Sequence, residues 1–313
     1  KSACQNRQVF GFRQLKLPRK DGFKMKKVIS LILCVLMLGS CMVFADTIEG
    51  SRAVIGADLD ADDIAYVYKE FGISRGDVKE LTVTNDEERE YLKGLVDESL
   101  IGTKSISCVY IEALADGKGL DVQVKNISWC TPDMYMNAMV TAGITDANVK
   151  IVAPFEVSGT AALTGIYKAY EDITGEKLDE DAKLVGTQEL TVTAELAEEI
   201  GSTDSAAIVN QLKLILDETK DMTDDQLREE IEKIAEEYDV TLTDSQIDSL
   251  ISLCRSMEKL DTAALKEKVE QLQQYLKDVV SKQGEIKQFL SNIADTVTEF
   301  VNKVVDFIRG IFG

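Results

Sequence analysis

The sequence predicts an α+β protein: a ferredoxin-like βαββαβ N-terminal domain followed by an all-α C-terminal region with a long heptad-patterned helix. Between residues 79 and 157, runs with the two-residue alternation of strands trade places with runs that have the three-to-four spacing of helices. From residue 203 onward only the helical spacing remains, and Pro132 and Pro154, the two prolines after residue 46, both lie before that point. Over the last stretch apolar residues fall in alternating steps of four and three from Leu265 to Ile311.

Taken in order, Asp60 is expected to cap a helix that runs to Phe71 and stops at Gly72. Residues 79–84 alternate Leu81 and Val83 with polar side chains, as a short strand does. Asn85, followed three residues later by Glu88, reads as a capping box opening a helix over 85–100. Residues 104–114 are rich in β-branched and aromatic side chains, a strand. Asp116-Gly117-Lys118-Gly119 is turn chemistry, and 120–130 returns with Leu120, Val122 and Val124 alternating, so the two strands are expected to form a hairpin. Thr131 and Pro132 supply an N-cap and a first-turn proline for a helix to Ala142, closed by Gly143. A strand over 149–157 and a helix to Asp172, capped by Ser158 or Thr160, complete the series.

The order strand, helix, strand, strand, helix, strand is that of the split βαβ fold. Its usual sheet order, 4-1-3-2, puts the last strand at an edge, where Pro154 is tolerated. Residues 178–200 read as one or two helices ended by Gly201, followed by helices near 203–217, 224–238 and 244–257. The last two open on the boxes Thr223/Gln226 and Thr243/Gln246. The series Leu265, Val269, Leu272, Leu276, Val279 and then Ile286 to Ile311 makes a narrow seam that needs a partner, the preceding helices or a second chain. One long helix over 265–311, kinked at Gly284, is favoured over a hairpin; it would extend roughly 70 Å at 1.5 Å per residue.

Ahead of these elements lies a leader. Met25-Lys26-Lys27 is a basic start, 28–39 is apolar apart from Ser30, and Val43-Phe44-Ala45 precedes Asp46, which reads as a secretory signal peptide over 25–45 cleaved after Ala45. Residues 1–24 are expected to be an untranslated or non-native extension, with Met25 as the start. The domains are therefore 46–200, α+β, and 203–313, α-helical. The localisation expected is secreted, extracellular or in the cell envelope. Leu38-Gly39-Ser40-Cys41 also resembles a lipobox, the alternative being a lipoprotein anchored at Cys41. Membrane contact is expected only through the uncleaved leader or that lipid.

The 313 residues carry 55 acids, 35 bases and no histidine. Without histidine there is no Ser-His-Asp or Cys-His nucleophile, no His-ligated metal and no imidazole switch. Removing residues 1–45 takes away nine bases and one acid, leaving 26 basic and 54 acidic residues and a net charge of −28. Nucleic acid is excluded as a partner by that charge. No cofactor, metal site or catalytic residue is expected.

Among candidate sites, Ser158-Gly159-Thr160 opens the most distinctive string, a small-residue turn from strand to helix that could present backbone N–H groups to a ligand or anion. Close helix packing on the sheet is the competing explanation, since the string is neither a P-loop nor a dinucleotide fingerprint. Cys108 and Cys130 could meet across the expected hairpin as a disulfide; a one-residue register change would instead put them on opposite faces. Asp58, Asp60 and Asp62 alternate as in a calcium loop, but Asp63 replaces the needed glycine and Lys69 the bidentate Glu, so an acidic helix start is the better reading.

Three strings carry a family resemblance: Ile101-Gly102-Thr103-Lys104-Ser105-Ile106-Ser107-Cys108, Thr141-Ala142-Gly143-Ile144, and Pro154 through Gly165. They resemble the YpuA-like predicted secreted protein family of Gram-positive bacteria, from about Asp46 to the helices near 257. That family is a domain of unknown function, so the resemblance implies export and a Gram-positive source and assigns no catalytic residue. The expected function is a non-enzymatic binding or interaction protein, with the C-terminal helix as the surface for a protein partner or self-association. The alternatives are a histidine-independent extracellular hydrolase or ligand-binding enzyme using carboxylates or the Ser158–Thr160 turn, and an exported cation-binding protein.

Overall fold

A computed structural model of the chain describes residues 47–92, 94, 95, 101–279 and 281. Five strands form one mixed sheet: β1 (Thr47–Gly56), β2 (Lys79–Val83), β3 (Cys108–Leu114), β4 (Leu120–Ile127) and β5 (Ala147–Val157), in the order β2-β1-β3-β5-β4. β1 pairs parallel to β2, β4 pairs parallel to β5, and the two parallel pairs are joined through β3, antiparallel to both β1 and β5. The α+β class is as expected; the ferredoxin-like sheet order is not.

Two differences account for the change. β1 has no counterpart in the expected series, because its apolar run Ala53-Val54-Ile55 is buried on both faces and shows no alternation. β3 and β4 do not form a hairpin: β5 lies between them. The turn chemistry at 116–119 carries the chain across the end of β5. There Asp146 bridges both sides, its backbone C=O accepting from Leu114 N (3.0 Å) and its carboxylate from Gly119 N (2.7 Å). β5 is consequently interior, and Pro154 is tolerated for a different reason. Pairing with β3 ends at Val152, and the β4 register shifts between Lys125 and Ile127, so the proline falls in an irregularity.

The sheet separates two clusters of apolar side chains. On one face Ala53, Ile55, Cys108 and Val152 pack under Val67, Tyr68 and Phe71 of α1 (Ala61–Phe71). On the other, Val54, Val109, Ile111 and Ile151 pack under α3 (Pro132–Ala142) and α4 (Thr160–Thr174). α2 (Asn85–Leu92) packs on α4. Behind them lie α5 (Glu180–Ile200), α6 (Ser202–Leu214), α7 (Leu216–Thr219), α8 (Asp224–Glu237) and α9 (Asp244–Met257), then α10 over 262–279. One apolar core runs from Val54 through these helices to Leu272. The change of composition near residue 201 thus marks a helix boundary inside one core.

The local signals that depend on few neighbours are found where expected. Asp60 caps α1 and Gly72 ends it, Thr131 and Pro132 open α3 and Gly143 closes it, and the boxes Thr223/Gln226 and Thr243/Gln246 open α8 and α9. Leu265, Val269 and Leu272 of α10 are buried against the chain's own core. The rest of the series, from Ile286 to Ile311, lies outside the described residues, as does the leader over 25–45.

α5 approaches α3 closely at Gly186, where an added Cβ would lie 2.7 Å from Ala138 O and 2.8 Å from Tyr167 Oη. Overpacking there costs about 1–3 kcal/mol, more than the ~1 kcal/mol that alanine gains in helix propensity. Gly186→Ala is expected to lower the urea midpoint; a midpoint equal to or above wild type would show that the two helices do not meet at this point.

Candidate functional site

The turn at the end of β5 is the natural place to look for chemistry, and the fold buries it. Gly159 adopts φ +98°, and a Cβ there would lie 2.5 Å from Tyr135 Oη and 2.6 Å from Ile127 Cγ2. Both conformation and space therefore demand glycine. The Tyr135 hydroxyl donates to Gly159 O at 2.7 Å, tying α3 to the turn. Ser158 Oγ lies 3.4 Å from Thr160 Oγ1, and the Thr160 hydroxyl donates to Glu88 Oε1 at 2.6 Å.

Glu88 reaches the turn because its helix starts one residue earlier than the Asn85/Glu88 box implies. The reciprocal pair is Thr84 with Glu87: Glu87 N donates to Thr84 Oγ1 (3.2 Å) and Thr84 N to Glu87 Oε2 (2.8 Å). That leaves Glu88 on the inner side of α2, 1% exposed, its second oxygen accepting from Asn85 Nδ2 at 3.3 Å. Burial pushes the carboxyl up from 4.5 to about 7, against the hydrogen bonds from Thr160 and Asn85 and the charge of Arg89. A carboxyl that titrates there has the proton affinity used in general acid–base catalysis, but this one is sealed from solvent. Cys130 is near the same hydroxyl of Tyr135, and burial pushes its thiol up to about 12.

The expected Cys108–Cys130 pairing loses its basis with the hairpin. Cys108 belongs to the cluster under α1 and Cys130 to the cluster on the opposite face, so the sheet stands between them. Cys108, Cys130 and Cys254 are all free and buried, and burial pushes each thiol up to about 12. Thiols of that kind are poor nucleophiles and poor ligands. The acidic start of α1 is used internally: Asp58 Oδ2 accepts from Ser105 N (2.8 Å), and Asp60 Oδ1 from Asp62 N and Asp63 N (2.9 Å each).

A second buried polar cluster has no antecedent in the sequence reading. Glu189 of α5 and Lys213 of α6 form an ion pair that is 1% and 0% exposed at its side chains. Thr141 Oγ1 donates to Glu189 Oε2 (2.5 Å) and Lys213 Nζ to Asn137 O (3.0 Å), both on α3. Burial pulls the Lys213 ammonium below the usual lysine range, opposed by Glu189. The cluster joins three helices through charge-assisted bonds. Its only sequence signal is a charge on the apolar face of a helix, Glu189 beside Leu190 and Lys213 beside Leu212.

The strings that resemble a family therefore include the two that build this interior: Thr141 contacts Glu189, and Thr160 contacts Glu88. A family described as a protein of unknown function, DUF1002, matches residues 55–303. The chain belongs to the DUF1002 family. The match extends past the helices near 257, where the resemblance was expected to end. The DUF1002 chain is also 36% identical over 283 residues to the uncharacterized protein YpuA of Bacillus subtilis strain 168, covering 89% of this chain and 93% of that protein. No solved structure matches it. Among the described residues of this DUF1002 chain, no group of three or more Cys, Asp or Glu is placed to hold a metal, and no helix is long and apolar enough to cross a membrane.

Two tests address the clusters. Folded, Glu88 holds its proton to about pH 7, whereas unfolded it ionises near 4.5. The stability tied to that proton is thus complete below about pH 4.5 and lost as pH rises through 7. Relative to Glu88→Gln, the wild type should lose roughly 2–3 kcal/mol of unfolding free energy between pH 4.5 and 8. Parallel pH profiles would mean that Glu88 is not held protonated. For the ion pair, Lys213→Met is expected to cost about 3–5 kcal/mol by stranding Glu189, and adding Glu189→Leu should restore much of it. A double variant no better than the single one would count against a coupled pair.

Proposed function

We propose that this DUF1002 protein is exported and works outside the cytosol as a non-enzymatic binding or interaction protein. The observation that carries the non-enzymatic part is the enclosure of Glu88. Its carboxyl has a proton affinity near neutrality, yet both oxygens are engaged by the chain and the side chain is 1% exposed. The group best suited to acid–base work serves as a clasp between α2 and the start of α4. Buried thiols pushed up to about 12 fit the same reading.

Export is supported by the basic, apolar and small-residue succession ending at Ala45, and by an acidic remainder suited to solubility outside the cell. A histidine-independent hydrolase built on Ser158 and Glu88 is the second reading, favoured by the Thr160 bridge that joins them. It would require solvent to reach a carboxyl that the fold encloses. Cation binding rests only on overall charge, and the aspartates that alternate at 58–62 include two whose oxygens hold backbone N–H groups.

The export reading predicts that N-terminal sequencing of protein recovered from the culture medium starts at Asp46, and that Cys41→Ser leaves its release unchanged. A product beginning at a lipid-modified Cys41 would favour the lipoprotein. A leader still attached to protein in the cytosol would overturn export.

A further inference from the structure

The two edges of the sheet are not alike. β2 is five residues long and guarded: its Lys79 pairs with Asp172, its Glu80 with Arg75, and its Thr82 C=O accepts from Lys168 Nζ at 2.6 Å. β4 is eight residues long, and among the described residues β5 is its only strand neighbour. No side chain among them bonds to the backbone of residues 120–125, so the N–H and C=O groups of that run that point away from β5 have no protein partner there. Asn126 marks where the straight run stops. It adopts φ +58°, the pairing with β5 shifts beside it, and its Nδ2 donates to Ala153 O (2.8 Å) and Tyr66 Oη (3.2 Å).

The straight run is complementary to itself. Its exposed side chains are Asp121, Gln123 and Lys125, and its inward ones are Leu120, Val122 and Val124. A second copy of the strand, laid antiparallel along it with Gln123 opposite Gln123, sets Asp121 opposite Lys125 on both sides of the centre. On the inward face Val122 falls opposite Val124, again twice, so each set of side chains stays on its own face. Neighbouring centres lose this match. About Val122, Lys125 falls opposite Gly119, where the Tyr275 ring already fills the space of a Cβ. About Val124, Asp121 falls opposite Ile127, beyond the irregularity at Asn126.

We propose that β4 pairs antiparallel with β4 of a second copy of this chain, about a twofold axis at Gln123, joining the two five-stranded sheets edge to edge. The charges around the strand leave room for it. Lys125 Nζ is bound by Glu70 at 2.7 Å, yet the lysine side chain is still 50% exposed and can meet a second carboxylate. Asp121 has one oxygen engaged, by Gln123 Nε2 at 3.0 Å, and the other open. With Glu70 counted, Asp121 and Lys125 leave each half of the contact with one net negative charge, and residues 46–313 carry 28 more acids than bases, so two copies repel at long range. Physiological salt screens charges separated by more than about 8 Å, whereas the facing pairs are in contact. Five opposed residue pairs make a small interface, so the dimer is weak and depends on concentration. This inference is independent of export and of the enzymatic question.

Cysteine cross-linking of the full chain at physiological salt tests both the partner and the register. A short thiol-reactive cross-linker is used, and each link is located by mass spectrometry, which sets residues 121, 123 and 125 apart from the native cysteines. Gln123→Cys is expected to give a covalent dimer through residue 123, the position that faces itself. Asp121→Cys and Lys125→Cys should each self-link at least tenfold less, because each would lie roughly 14 Å from its own copy at ~3.4 Å per residue. An equimolar mixture of those two variants should link 121 to 125. Gln123→Lys sets two ammonium groups across the axis and should raise the concentration of half-association in sedimentation equilibrium about fivefold, at unchanged Tm. A wild-type chain that stays monomeric at its highest soluble concentration would overturn the proposal. So would absence of the Gln123→Cys link, equal linkage in the three single variants, a mixture that does not join 121 to 125, or association unaffected by Gln123→Lys.

Discussion

Placement of β5 between β3 and β4 is the constraint on which the rest of the architecture hangs. Each of its central residues pairs on both sides, from Ala147 to Val152. This makes β5 the strand that integrates the antiparallel and parallel halves of the sheet. The connection from β3 to β4 must then step over its leading end, and Asp146 supplies the acceptors that this crossing needs. Its trailing end delivers Ser158, Gly159 and Thr160 into the space beneath α2 and α3.

From that position the interior polar groups follow. Gly159 admits the Tyr135 hydroxyl, Thr160 meets Glu88, and α4 starts where it can cover β1 and β3. α3, set on β4 by the same arrangement, presents Asn137 and Thr141 to the Glu189–Lys213 pair. Two buried polar clusters thus hold adjacent layers in register. Buried clusters of this kind contribute modestly to net stability but penalise any rearrangement that would strand a charge. They explain why distinctive strings of the chain surround groups with no access to solvent: the strings encode the fit of the layers.

The helical region continues the same core. Leu265, Val269 and Leu272 close it, which turns part of an apparent coiled-coil seam into an internal contact. What the body leaves open is a groove along the flank of α10. That groove, lined by both charged and apolar side chains, is a tertiary feature, created by segments at 117–119, 143–146 and 177–182 that are far apart in sequence.

The sequence by itself determined the α+β class, the positions of most elements and the caps at Asp60, Thr131, Thr223 and Thr243. The caps at Asp60, Thr223 and Thr243 depend on a side chain bonding to backbone within three residues, and the start at Thr131 on the proline that follows it. The sequence also marked the Ser158–Thr160 turn and the family. Strand order, the separation of Cys108 from Cys130, the burial of Glu88 and the pairing of Glu189 with Lys213 were decided only by tertiary structure. The Asp116–Gly119 turn serves a hairpin and a crossing over β5 equally well, so turn chemistry cannot choose between them. A charged residue likewise cannot announce its own burial, because the desolvation that shifts Glu88 and the partner that neutralises Lys213 come from helices elsewhere in the chain.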